Sequence, residues 1–203
     1  MEENNAKQDF VFDILHQEKY SRGELLLRSF FGQLYIGIPH FFLIFFISIA
    51  AAFLGFISWW AVLFTAQYPR SFFDFQVNLL RWSTRVQARL LHLSDGYPPF
   101  GMNATDDHIV LHVAYPESLS RGLVLLRLFF QFIYVLIPHG FCLFFRAIGM
   151  LFVMFIAWWA VLFTGEYPKG MHAFVVGTLR WSMRVGNYLS LLTDKYPPFS
   201  GKA

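Results

Sequence analysis

Apolar residues form two long stretches, 25–65 and 123–164, each of about forty residues. A membrane-spanning helix needs about twenty apolar residues, so each stretch suits two helices, or one long helix with a lead-in. Pro39 and Pro138 stand inside these stretches, and proline removes a helical hydrogen bond and disfavours a helical conformation in the residue before it. The pattern therefore predicts a hairpin of two apolar helices in each stretch, at about 23–38 and 41–65, and at about 122–137 and 140–164.

A second pattern follows each apolar stretch. Residues 70–93 and 169–192 place apolar side chains at helical spacing on one side and basic side chains on the other, the latter including Arg81, Arg85, Arg180 and Arg184. A basic polar face opposite an aromatic face is typical of a helix that lies in the membrane plane. The interleaved Trp and Phe favour anionic lipid over nucleic acid as the partner of these arginines.

Short alternating segments precede both apolar stretches. Phe10, Phe12 and Ile14 alternate with other residues, as do Ile109, Leu111 and Val113. Period-two alternation predicts a short strand before each membrane section. Residues 94–107, rich in Gly, Pro, Asn and Asp, read as a linker.

The same elements occur twice because the chain is a tandem repeat. Ser21-Arg22-Gly23 recurs 99 residues later as Ser120-Arg121-Gly122, and many later positions match at the same offset without a gap. We therefore expect two homologous modules, 1–100 and 101–203. The predicted fold is an all-α integral membrane protein in which each module is an apolar helical hairpin with a basic amphipathic interfacial helix, preceded by a short strand.

Composition agrees with a membrane protein. Hydrophobic residues make up 56% of the chain, aromatic residues 20% and charged residues only 14%. These values exclude a disordered chain and argue strongly against a water-soluble globule. The single cysteine, Cys142, excludes an intrachain disulfide and a cysteine-based metal site. The polar N-terminal segment, 1–8, is not typical of a cleaved secretory signal.

Flanking charges bear on the number of crossings. Both modules carry a basic residue at each end of the apolar stretch, namely Arg22 and Arg70, then Arg121 and Lys169. The positive-inside rule places such flanks on the cytoplasmic side. A module that crosses twice, or forms a re-entrant hairpin, keeps all four on one face, so we expect a multi-pass membrane protein.

Tryptophan pairs mark the predicted membrane boundary. Trp59, Trp60, Trp158 and Trp159 stand about one turn before the basic end of each stretch. Tryptophan prefers the membrane–water interface, which favours an anchoring role over an aromatic ligand cage.

A few polar residues inside the apolar stretches are candidate sites. His40 and His139 could hold a haem or contact a quinone, or be structural residues that meet water or headgroups. Arg146 has no cationic counterpart and no carboxylate in the apolar segments, which predicts contact with another subunit or a lipid phosphate. Arg28 and Arg127 lie in the first apolar helix of each module, and we expect their long side chains to extend to the lipid headgroups or to a partner.

No residue pattern indicates a catalytic centre or a metal site. Asp95 and Asp194 precede Tyr-Pro-Pro-Phe in the two repeats, and an aspartate that accepts local backbone hydrogen bonds in a turn explains them better than catalysis. We therefore expect no enzyme activity and no required cofactor.

Six motifs occur in the same order in both repeats: Ser-Arg-Gly, Ile-Pro-His, Trp-Trp-Ala-Val-Leu-Phe-Thr, Tyr-Pro, Arg-Trp-Ser-x-Arg-Val and Tyr-Pro-Pro-Phe. Together they resemble a tandem-repeat family of bacterial membrane proteins of unknown function, over nearly the whole chain. The resemblance implies a location in the bacterial cell membrane and adds no activity, substrate or catalytic residue.

The sequence thus favours a non-catalytic membrane scaffold or an accessory subunit of a bacterial membrane complex. Its expected partners are membrane lipid with anionic headgroups and other membrane protein subunits. Two alternatives remain open at this point: a small transporter or channel with a site between the repeats near His40, His139 and Arg146, and a haem- or quinone-linked subunit.

Overall fold

The computed structural model describes residues 9–203, so the segment 1–8, with the interpretation made of it, lies outside the described residues. Two strands and four helices follow one another in two similar halves. In chain order they are β1 (Phe10–Ile14), α1 (Arg22–Thr65), α2 (Arg70–Leu90), β2 (Ile109–Val113), α3 (Arg121–Thr164) and α4 (Lys169–Leu189). The two predicted strands are confirmed.

The predicted helical hairpins are wrong. Helices α1 and α3 each run without a break through 44 residues, so the helices expected at 23–38 and 41–65, and at 122–137 and 140–164, are parts of single helices. At 1.5 Å per residue each helix is about 66 Å long. Instead of a loop, a five-residue π-helical turn precedes each proline, at Gln33–Gly37 and Phe132–Leu136.

The helix continues past each proline because the bond that proline cannot make is replaced. Pro39 has no N–H to donate to the carbonyl of Tyr35, four residues earlier. The hydroxyl of Tyr97 donates to that carbonyl at 3.1 Å, and Tyr196 donates to Tyr134 O at 2.8 Å in the second repeat. The Tyr-Pro-Pro-Phe motif therefore satisfies the backbone at the place where the sequence predicted a break.

Repeated motifs set the helix ends. Ser21 and Ser120, which open the Ser-Arg-Gly motifs, cap α1 and α3 by accepting from the backbone N–H three residues later. Both helices end at a residue in the left-handed conformation, Ala66 with φ 62° and Gly165 with φ 74°. The chain then turns through Tyr-Pro into the shorter helix.

Each shorter helix runs back along the long helix of its own repeat. Gln76 of α2 donates to Ala51 O at 2.6 Å, and further along α2 the indole of Trp82 bonds to His40. Beyond α2, the carbonyl of Ser94 accepts from Arg28, near the start of α1. Because Trp181 of α4 bonds to His139 of α3, the second repeat is built in the same way.

The repeats join at their ends and through a two-stranded ribbon. The backbone N–H of Tyr20, just before α1, donates to Gly165 O after α3 at 2.8 Å. The backbone N–H of Leu119, just before α3, donates to Ala66 O after α1 at the same distance. Strands β1 and β2 pair antiparallel, with Phe10 opposite Val113. The start of each long helix therefore lies beside the end of the other, so the repeats meet at two junctions, one at Tyr20 and Gly165 and one at Leu119 and Ala66. Arg22 lies at the first junction and Arg121 at the second.

The long helices are apolar and mostly uncovered. Both are long and apolar enough to cross a membrane, and only 11% of the most apolar window of each is buried. Phe30, Phe64, Phe129 and Phe163 are each about 70% exposed. The buried core instead collects where the ribbon, the shorter helices and the inner sides of the long helices meet, around residues such as Phe12, Tyr20, Leu93 and Val176.

Candidate functional site

Arg28 and Arg127 are held inside the chain by matching acidic clamps. Arg28 lies 2.5 Å from Asp95 Oδ1 and also donates to Ser94 O, and its side chain is 1% exposed. Arg127 bonds to Asp194 Oδ1 at 2.8 Å and to Thr193 O. The contact with headgroups or partners predicted for these two arginines is therefore wrong, because the turn before Tyr-Pro-Pro-Phe folds back and supplies the carboxylate.

Each aspartate also fixes the start of the long helix. The second oxygen of Asp95 accepts from the backbone N–H of Ser21, and that of Asp194 accepts from Ser120, both at 2.6 Å. The expectation of purely local turn bonds was too narrow. The signal that could have found these partners was in the sequence, since Arg28 with Asp95 and Arg127 with Asp194 recur at identical separation.

His40 and His139 occupy fully buried, equivalent positions. The indole N–H of Trp82 donates to Nδ1 of His40 at 2.9 Å, and Trp181 donates to Nδ1 of His139 at 3.0 Å. The ring of Phe100 stacks on His40 with centroids 3.9 Å apart and an interplanar angle of 6°. Phe199 stacks on His139 at 4.0 Å and 9°.

This geometry bears directly on the haem and quinone interpretations. A neutral imidazole whose Nδ1 accepts a hydrogen bond carries its proton on Nε2. Neither nitrogen then offers a free lone pair to a metal, and Nε2 of both histidines is buried without a hydrogen-bond partner among the described residues. Haem ligation would require breaking the tryptophan bond, so the stack favours a structural role.

Arg146 finds its partners on the neighbouring helix of its own repeat. Its Nε donates to Thr178 Oγ1 at 2.9 Å, and its guanidinium lies 4.5 Å from the ring centroid of Phe174. Because α4 packs against α3, it brings a hydroxyl and an aromatic face to Arg146. Arg146 is half-buried, so its contact with another subunit or a lipid phosphate stays a prediction. The guanidinium also lies 5.9 Å from the Trp181 ring, which connects Arg146 to the His139 stack.

The arginines predicted to form a basic membrane-facing surface are largely turned inward. Arg85 is 2% exposed and donates to the carbonyls of Ala104 and Gly101. Arg180 is 8% exposed and donates to Phe12 O and Gly201 O, both at 2.8 Å. The expectation of an outward basic face is therefore corrected at these two positions, since the ribbon and the segments after each shorter helix cover them.

The two remaining arginines of that set are half-buried and also bind backbone. Arg81 donates to Leu111 O of β2 at 3.3 Å, and Arg184 donates to Lys202 O at 2.8 Å. Together with Arg180, Arg81 fastens the ribbon crosswise, each arginine holding the strand of the other repeat. These bonds explain why a short two-stranded ribbon is stable here.

Arg89 and Asp106 form a buried ion pair that sequence reasoning missed. Their closest atoms are 2.7 Å apart, and the side chains are 5% and 4% exposed. Burial lowers the pKa of the Arg89 guanidinium, and the Asp106 carboxylate opposes that shift. The pair has no equivalent at the matching position of the second repeat, where Tyr188 replaces Arg89, so the repeat pattern could not reveal it.

A pair of histidines packs where β1 leads into α1. The rings of His16 and His172 meet edge-on with centroids 5.1 Å apart, and Nε2–H of His16 donates to Tyr167 O. Burial and, to a smaller extent, the neighbouring His16 lower the pKa of His172 to about 4. At the other junction between the repeats, Tyr115 and Phe73 make the same edge-on contact.

The tryptophans divide into an exposed and a partly covered member in each repeat. Trp60 and Trp159 are 49% and 42% exposed and stack on Phe64 and Phe163. Trp59 and Trp158 are half-buried, and the latter donates to Ser29 Oγ at 2.8 Å. An interfacial role for the four tryptophans stays a prediction.

Most of the polar side chains described above therefore bond to other groups of the same chain. Among residues 9–203 no group of three or more His, Cys, Asp or Glu side chains is arranged to hold a metal ion. Each of His40 and His139 is enclosed by aromatic residues of its own repeat, and neither contacts the other.

The chain matches one known family model, once in each repeat. The family model described as a domain of unknown function, DUF4389, matches residues 28–101 and again 121–201. The chain belongs to the DUF4389 family. No curated protein and no solved structure matches the chain. Each DUF4389 match contains one complete acidic clamp and one complete histidine stack, so the tandem repeat of the family corresponds to the structural repeat.

Proposed function

We propose that this DUF4389 protein is a non-catalytic scaffold or accessory subunit of a bacterial membrane complex, embedded in the inner membrane by α1 and α3. The observation that carries the proposal is the contrast between the two sides of the long helices. Their outer sides expose rows of Phe, Leu and Ile, while the charged and polar groups of the repeats are bonded to one another. Apolar surface of this extent needs lipid or a protein partner.

The exposed apolar rows are the part of the proposal that is easiest to test. Phe53 and Phe152 hold matching positions on α1 and α3 and are 64% and 66% exposed. Lysine at the centre of a membrane helix costs about 3 kcal/mol, whereas lysine at a water-exposed site costs little. We expect Phe53→Lys and Phe152→Lys each to reduce the fraction of chain recovered in carbonate-washed membranes.

Leu15→Lys provides the matched control, because Leu15 is 45% exposed but lies outside the long helices. Its membrane fraction should equal that of the wild type. Recovery of the unmodified chain from the soluble fraction without detergent would contradict the membrane proposal.

The scaffold role needs evidence of a companion. A photoreactive phenylalanine analogue at 53 or 152, irradiated in intact membranes, should give a discrete protein adduct whose mass identifies one companion. Adducts with lipid alone at both positions, together with a monomer in mild detergent, would contradict the scaffold role while leaving the membrane location intact.

A transporter or channel stays an untested alternative. Its predicted site joined His40, His139 and Arg146, and each of these side chains is engaged within its own repeat. Flux into liposomes that is abolished by His139→Ala or Arg146→Ala would revive it.

A further inference from the structure

An apolar cleft lies between the second half of α1 and the first part of α3. Its volume is about 740 Å³, within the range of small-molecule binding sites, and most of its wall is apolar. One wall is a single face of α1 and the opposite wall comes from α3, while the middle of α2 and the end of α4 close the cleft. The lining includes Ala51, Gly55, Trp59, Gln76, Leu128 and Gln131.

The cleft lies at a helix contact where the two repeats differ in side-chain size. At the offset of 99 residues, Ala51 corresponds to Met150 and Gly55 corresponds to Met154. In the second repeat both methionine side chains pack into the main core cluster with Leu25 and Leu91. The first repeat has the same helix contact with Ala51 and Gly55 on α1 and with larger side chains opposite them, Leu128 in place of Ser29 and Gln131 in place of Gly32. A cleft nevertheless remains between the two helices.

Trp59 lines the cleft, and among the described residues its indole N–H has no hydrogen-bond partner. Trp158 donates to Ser29 Oγ in the filled junction. Trp59 is the counterpart of Trp158, and the residue that corresponds to Ser29 is Leu128, whose side chain has no acceptor. The indole N–H of Trp59 therefore lacks the matching bond, and the amide of Gln131 lines the same cleft, where the second repeat has Gly32.

These features define the chemistry of an occupant. The missing side chains are unbranched and apolar, which calls for a flexible hydrocarbon chain. The free indole N–H calls for an oxygen acceptor next to that chain. The rim of the cleft is continuous with the exposed apolar surface through Phe56, Trp60 and Leu128, so an occupant can enter sideways from a bilayer.

We propose that the cleft binds one acyl chain of a membrane phospholipid, with an ester carbonyl accepting from the indole N–H of Trp59. The inference rests on the proposed membrane location and adds to it a specific lipid site in the first repeat only. A quinone and the helix of a second copy of the chain are the competing occupants.

The test uses the full chain in mild detergent and native mass spectrometry, with palmitoyl-oleoyl phosphatidylglycerol as the probe. We expect the wild type to retain one lipid. Ala51→Met should reduce retention at least tenfold, because it restores the side chain that fills the other junction. A Cβ on Gly55 would lie 3.4 Å from Gln76 Nε2, so Gly55→Met is combined with Ala51→Met and Gln76→Val, which reproduces the second repeat more fully.

The second repeat offers the reverse experiment. Met150→Ala with Met154→Gly opens the filled junction and should add a second retained lipid. Trp59→Phe keeps the shape of the cleft and removes the donor, and should weaken retention about 3- to 10-fold. Circular dichroism and melting temperature identify any variant that fails to fold, and Trp59→Phe decides the case if the methionine variants do.

Several outcomes would overturn the site. Unchanged retention in Ala51→Met shows that the lipid binds elsewhere. If the chain retains ubiquinone in preference to the phospholipid, the cleft is a quinone site and the proposed occupant is wrong. A dimer that Ala51→Met dissociates would show that a second copy of the chain fills the cleft. Because the chain is already in detergent, these results are independent of whether it resides in a membrane, which the carbonate wash decides separately.

Discussion

The two repeats share the acidic clamp and the histidine stack but close the interior beside the clamp in different ways. In the second repeat Tyr188 lies against Arg127, with its ring centroid 3.8 Å from the guanidinium carbon. In the first repeat the same position is Arg89, a second buried cation near Arg28, and the linker residue Asp106 neutralises it. The comparison teaches that one duplicated framework accepts either an aromatic face or an ion pair, provided that every buried charge has a partner.

The largest expected effect comes from breaking the ion pair that only the first repeat has. Asp106→Asn leaves the Arg89 charge buried without a counter-charge, and removing one member of a buried pair costs about 3–5 kcal/mol. Chemical denaturation in detergent should show this loss in the free energy of unfolding. Asp106→Asn combined with Arg89→Tyr reproduces the second repeat and should recover most of the loss. Failure to recover would show that the two interiors are not interchangeable.

The next effect concerns the junction between the start of α1 and the end of α3. There His16 and His172 make the edge-on contact that Tyr115 and Phe73 make at the other junction. Burial holds the pKa of His172 at about 4, below the unfolded value of 6.5, so the unfolded chain binds more protons between these two pH values. Stability is therefore full above pH 6.5 and falls as the pH decreases towards 4, by about 1–3 kcal/mol. His172→Phe, which copies Phe73, should flatten this part of the profile of unfolding free energy against pH. An equally steep profile in His172→Phe would assign the acid sensitivity to other groups.

A smaller effect tests whether both prolines are accommodated in the same way. Tyr97→Phe and Tyr196→Phe remove the hydroxyls that donate to Tyr35 O and Tyr134 O. Each should lower the free energy of unfolding by about 1 kcal/mol, the usual net contribution of such a bond. Pro39→Ala restores the N–H and should make Tyr97→Phe nearly neutral. Additive losses in the double variant would mean that the hydroxyl does not serve the proline.

The smallest effect compares the two helix ends. Ala66 ends α1 with φ 62°, a conformation that a Cβ disfavours, whereas Gly165 ends α3 at φ 74°. Ala66→Gly should stabilise the chain by about 0.5–1 kcal/mol, and Gly165→Ala should destabilise it by a similar amount. A Cβ at Gly165 would lie no closer than 3.7 Å to Tyr20 O, so any loss there reports backbone strain and not a clash. Melting temperatures of the two variants that move in the same direction would contradict this explanation.

The sequence predicted the local features of this protein well. Alternation at Phe10–Ile14 and at Ile109–Val113 gave both strands, and the offset of 99 residues gave the two similar halves. The apolar stretches were correctly predicted to be helical, although not as single helices, and the following basic segments were correctly predicted to form the shorter helices. Each of these depends on neighbours in sequence, where periodicity is a direct physical signal.

The partners of the polar residues could not be predicted in the same way. Arg28, Arg146 and Arg180 were each assigned to lipid or to another subunit, and each is satisfied by a residue far away in the chain. Pro39 was interpreted as a break because the donor that replaces its N–H is Tyr97, which lies 62 residues after the acceptor, Tyr35. A sequence records that a polar group exists but not which distant group folding will bring to it.

The sequence by itself determined that this protein is two copies of one module, with a strand, a long apolar stretch and a basic amphipathic segment in a fixed order. Only the tertiary structure decided that the long helices are unbroken and that Arg81 and Arg180 each hold the strand of the other repeat. It also decided that Met150 and Met154 fill one junction while a cleft remains at the other. The reason is physical: hydrophobic periodicity acts along a helix, whereas the free energy of a buried charge or an unfilled space depends on what lies across from it.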